Sequence, residues 1–82
     1  MKPYKDIDNG IRVFEETVDP TDMLWHRDQE DRIVEPVEDT DWKVQLDGKL
    51  PIQIKQAIFI PKGVWHRAIK GTGPLKIKIT KL

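Results

Sequence analysis

Apolar and polar side chains alternate along most of this chain, and turn residues interrupt the alternation every several positions. Trp42-Lys43-Val44-Gln45-Leu46 is the clearest case, with Trp42, Val44 and Leu46 on one side and Lys43 and Gln45 on the other. A period of two belongs to a β-strand with one buried face. Asp47-Gly48 follows at once, a pair that marks a hairpin turn because glycine accepts the backbone such turns need. The same alternation spans 75–79, and shorter strands are predicted over 11–18, 23–28, 32–37, 50–54, 57–60 and 65–69. Turn signals separate them at Asp19-Pro20-Thr21-Asp22, Glu38-Asp39-Thr40-Asp41, Pro61-Lys62-Gly63 and Gly71-Thr72-Gly73-Pro74. Seven or eight short strands of this kind predict an all-β barrel or sandwich of antiparallel strands.

The 82 residues allow one domain, spanning 1–82. A domain of this size buries roughly 60–65% of its unfolded surface, so its core is thin. Apolar residues make up 38% and charged residues 34%, a low ratio for a globular chain, but the grouping of the apolar ones favours a folded domain over a disordered tail. Fourteen basic and fourteen acidic side chains cancel, which argues against nucleic-acid binding driven by overall charge. The Lys76-Ile77-Lys78-Ile79 stretch reads as an ordinary half-exposed strand. With no cysteine, disulfides, thiol chemistry and zinc ribbons are excluded. The longest apolar run, Ala57-Ile58-Phe59-Ile60, is too short to cross a membrane, and the first ten residues lack the apolar stretch of a signal peptide. The expectation is a soluble cytoplasmic protein.

Both histidines lie in two short segments, Trp25-His26-Arg27-Asp28 and Pro61-Lys62-Gly63-Val64-Trp65-His66-Arg67. On a strand, His26 and Asp28 point to one face. One imidazole and one carboxylate make half of a metal site. A second imidazole from a distant strand, His66, would complete a set of two histidines and one carboxylate, which suits Fe(II), Mn, Zn or Ni and leaves coordination positions open. Glu30 shares the face of Asp28 if the strand runs that far. Arg32 and Arg67 are candidates to hold a carboxylate ligand through paired hydrogen bonds.

The second segment resembles the second motif of the cupin superfamily, P-x-G-x-x-H, here Pro61, Gly63 and His66 after an apolar strand. The order of hairpin, apolar strand, Pro-Gly turn, histidine, Gly turn and final strand resembles the cupin barrel from about residue 23 to residue 79. The first cupin motif is matched in part: His26 stands at its first histidine, Asp28 at its second, and Arg32 at its glutamate. The resemblance implies a small double-stranded β-helix, or jelly-roll barrel. It also implies one divalent ion inside the barrel and a small-molecule ligand, with activities ranging from dioxygenase to isomerase to simple binding.

Arg32 keeps other readings open. It can pair with Asp28 in place of a metal, which would make the barrel a metal-free module for a small anion. An interaction protein using its tryptophans is the third reading. Trp25 and Trp65 each precede a histidine, so inward histidines put both indoles outside. Cover by the N-terminal strand or by a second subunit is then expected, and a homodimer with Trp25 or Trp65 at the contact follows.

Overall fold

The computed structural model describes residues 2–82. Eight strands form: β1 (Lys5–Asp6), β2 (Ile11–Phe14), β3 (Arg32–Pro36), β4 (Lys43–Leu46), β5 (Ile52–Gln53), β6 (Ile58–Ile60), β7 (His66–Ile69) and β8 (Leu75–Lys81). The only helical pieces among the described residues are two single 3-10 turns, Asp8–Gly10 and Pro20–Asp22. Among the described residues no helix is long and apolar enough to cross a membrane.

Every pairing is antiparallel. Five strands run in the order β1-β2-β8-β3-β6 and three in the order β5-β4-β7. The alternation read from the sequence decides which side chains enter between the sheets. Leu75 and Ile77 are buried on β8, Ile58 and Ile60 on β6, Val44 on β4 and Trp42 just before it, while the intervening Phe59 is 52% exposed. Phe14, Val34 and Ile54 complete the core. Trp42 has no solvent exposure, and its indole Nε1–H donates to the Gly73 carbonyl at 3.0 Å, so its one polar atom is satisfied. Phe14 packs between the Tyr4 and Trp42 rings, with centroids 5.4 and 5.5 Å away.

Three strands are shorter than the alternation predicts by more than one residue, each for a local reason. The strand expected over 11–18 stops at Phe14, which pairs with Leu75. The next partner would be Pro74, which has no N–H to give. The return strand expected over 50–54 keeps only Ile52–Gln53 because Pro51 interrupts it in the same way. The hairpin turn itself forms: Lys49 N–H donates to Leu46 O at 3.0 Å, and Gly48 takes a φ of 75°. The strand expected over 23–28 is the largest departure. It is reduced to a single bridge, in which His26 and His66 exchange backbone hydrogen bonds of 2.9 and 2.8 Å. Beyond the bridge, Asp28 O accepts from Gly63 N–H at 2.9 Å, so the chain is tied to a turn instead of a strand.

Candidate metal centre

The bridge sets the geometry of the site. His66 opens β7 three positions after Gly63 of the Pro61-Lys62-Gly63 turn, where Gly63 adopts a φ of 77° that other residues resist. That same glycine's N–H holds the Asp28 backbone. One turn therefore fixes both the second histidine and the carboxylate. The antiparallel bridge places His26 opposite His66, and their rings meet edge to face with centroids 4.2 Å apart. One ligand atom from each of His26, Asp28 and His66 lies within 4.8 Å of the other two.

Hydrogen bonding assigns the ring nitrogens. His26 Nδ1 lies 3.0 Å from Leu24 O, and His66 Nδ1 lies 2.9 Å from Val64 O, in each case the carbonyl two residues back. A carbonyl only accepts, so the proton of a neutral ring sits on Nδ1 and Nε2 presents a lone pair. This is how metal-bound histidines are oriented by an outer partner. Burial pushes the His66 pKa down from the ordinary 6.5, and the nearby His26 and Arg32 charges act the same way, against the Val64 carbonyl and Asp28. The ring is neutral at neutral pH.

Asp28 faces that lone pair. His66 Nε2 stands 3.2 Å from Asp28 Oδ2. With the proton on Nδ1 this contact is no hydrogen bond, and Oδ2 is buried without any partner. A buried carboxylate oxygen set against an imidazole lone pair is unfavourable unless a cation lies between them. Arg32 does not relieve it. Its Nη1 approaches the other oxygen, Oδ1, at 3.3 Å, while its Nε and Nη2 donate to Glu30 Oε1 at 2.9 and 2.7 Å. The arginine thus belongs first to Glu30, and it leaves Oδ2 as the free corner of Asp28.

The other sequence candidates fall in different places. Glu30 is not drawn into the His26–Asp28–His66 group; its oxygen takes both Arg32 hydrogen bonds, because the chain bends at 29–30 and the strand does not run that far. Arg67 follows His66 on β7 and so takes the opposite face. Its Nε and Nη2 donate to Gln45 Oε1 at 3.1 and 2.9 Å, and its guanidinium lies 4.8 Å from the Trp25 ring centre. Across the bridge, Arg27 lies 5.1 Å from the Trp65 ring centre. The tripeptide Trp-His-Arg thus occurs twice, at 25–27 and 65–67, and the two copies cross antiparallel at their histidines. Both indoles do face outward, 39% and 43% exposed, but each is partly roofed by the arginine of the other copy.

Sequence reasoning missed Arg12. It sits on β2 opposite Ile77, two residues before buried Phe14, so it shares the inward face. That spacing was the available signal. Arg12 donates from Nε to Asp6 Oδ1 at 2.7 Å, and its guanidinium stacks 3.7 Å over the Tyr4 ring. It borders both the small cavity of about 60 Å³ at His26, Asp28 and His66 and a larger recess of about 560 Å³ outside it.

No family model matches the sequence, and no curated protein matches it. Solved structures do. Protein NMB1881 from Neisseria meningitidis superposes with a TM-score of 0.56 over 96% of this chain and 79% of that one, at 20% identity. KdgF from a Halomonas species superposes with a TM-score of 0.58 over 95% of this chain and 85% of that one, at 19% identity. The fold is cupin-type. At these identities the likeness concerns the fold alone. The barrel brings together two histidines and a carboxylate from segments about forty residues apart, with His66 buried, Asp28 half-buried and His26 exposed.

Proposed function

We propose that this chain is a small cupin-fold metal-binding protein that holds one divalent ion through His26, Asp28 and His66. The observation that carries the reading is Asp28 Oδ2, a buried carboxylate oxygen with no hydrogen-bond partner, 3.2 Å from the His66 nitrogen that carries a lone pair. A divalent cation satisfies both atoms at once. Two imidazoles and one carboxylate suit Fe(II), Mn, Zn or Ni, and they leave positions for a small molecule. An ion held in this way supplies Lewis acidity to whatever oxygen occupies those positions. The protein's own contribution is orientation: Leu24 O and Val64 O fix the two rings, and Arg32 holds the far oxygen of Asp28 so that one oxygen faces the ion.

The 3.3 Å approach of Arg32 to Asp28 favours a second reading, a metal-free barrel that binds a small anion. Metal analysis of protein purified without chelator separates the two, with His66→Ala and Arg32→Glu as comparisons. A stoichiometric divalent metal in the wild type, lost in His66→Ala, supports the metal reading. Metal binding undiminished in His66→Ala removes the site. Metal in Arg32→Glu but none in the wild type makes the barrel a metal-free relative.

A further inference from the structure

The recess outside the histidine pair has a chemistry of its own. It measures about 560 Å³, within the range of small-molecule sites, and reaches the candidate metal group through His26. Its walls include Tyr4, Phe14, Met23, Leu24 and Ala68. Three charged side chains also line it: Arg12, which is bound to Asp6 and stacked on Tyr4, and the exposed Lys2 and Asp22. Leu24 is 69% exposed, an apolar side chain left uncovered two residues from His26.

The part of the wall formed by Phe14, Met23, Leu24 and Ala68 disfavours a polyhydroxylated ligand, because hydroxyls brought against it lose water partners and gain none. It rewards an apolar body instead. The polar end of the ligand belongs at the inner side, where His26, Asp28 and His66 converge. We infer that the site takes a small carboxylic acid with an apolar tail, its carboxylate toward the metal group and its tail along Tyr4, Met23 and Leu24. This inference rests on the metal reading above, which supplies the anchor for the carboxylate.

The test uses the full chain loaded with zinc and titrated by NMR with acetate, hexanoate and glucuronate, following the methyl groups of Met23 and Ala68. Zinc uptake is measured first and separately. The expected result is hexanoate binding at least tenfold tighter than acetate, since each added methylene finds apolar wall, and glucuronate binding no tighter than acetate. Leu24→Ser keeps the backbone carbonyl that holds His26 and removes the apolar side chain, and it should lower the preference for hexanoate severalfold. If the protein takes up no zinc, the metal reading and this inference fall together. If zinc binds and acetate and hexanoate bind alike, or glucuronate binds tightest, the apolar-acid inference is overturned and the metal reading stands.

Discussion

Replacing Asp28 by asparagine should have opposite effects on the metal-free and the metal-loaded protein. The amide keeps an oxygen for Arg32, which stands 3.3 Å from Oδ1, and turns an NH2 toward His66 Nε2, which stands 3.2 Å from Oδ2. A lone pair facing an unpartnered oxygen becomes a hydrogen bond. The bond is worth about 1 kcal/mol, and relief of the orphaned acceptor adds about 1 kcal/mol or more. Against this, the Arg32–Asp28 ion pair is lost, at about 1 kcal/mol for a contact that is not itself a good hydrogen bond, since Arg32 keeps both bonds to Glu30. The net is a gain of about 1 kcal/mol, or roughly 4–8 °C in Tm for a domain of this size. With zinc at about one hundred times its Kd, the wild type gains about 2.7 kcal/mol, and the variant, missing its anionic ligand, gains little. Thermal unfolding followed by circular dichroism, in chelator and then in zinc, reads both arms. A loss of more than about 2 kcal/mol in chelator would falsify the argument, because Asp28 would then be a structural partner of Arg32 and its free oxygen would carry no meaning.

Stability of the metal-free protein should fall on mild acidification. Burial lowers the folded pKa of His66 below the unfolded 6.5, so the unfolded chain binds the proton more tightly; the contribution is complete above pH 6.5 and is lost as pH falls toward the lowered folded value. Urea midpoints at pH 7.5 and 5.5 should differ more in the wild type than in His66→Gln, and equal differences would contradict this. Gly10→Ala should cost about 2 kcal/mol or more in urea unfolding, because Gly10 has a φ of 78° and an added Cβ would lie 2.5 Å from the Ile79 carbonyl oxygen; an unchanged midpoint would refute the close approach. A homodimer meeting at the Trp25 and Trp65 face should appear in sedimentation equilibrium and shield the indoles from iodide. A monomer at high concentration with both indoles quenched removes it.

The all-β class and most of the buried apolar residues were legible in the sequence. Alternation in 42–46 and 75–79 is a local property, and segments with Trp42 and Val44, or Leu75 and Ile77, on one side have one way to hide them. Pro61, Gly63 and His66 were legible for the same reason, since a turn is specified by the residues within it. Strand ends were not, because Phe14 and Ile52 stop pairing where a proline stands in or beside the ladder, and which proline lies opposite depends on register. The site was half legible. Both histidines and Asp28 could be named from type and spacing, but the bridge that sets His26 against His66 joins segments about forty residues apart. It took the folded arrangement to show that Glu30 is held by Arg32, that Arg67 lies on Trp25, and that Arg12 borders the cavity at the histidine pair. A side chain's partner is fixed by what the rest of the chain brings within hydrogen-bond reach, and that distance is not written in its neighbours along the sequence.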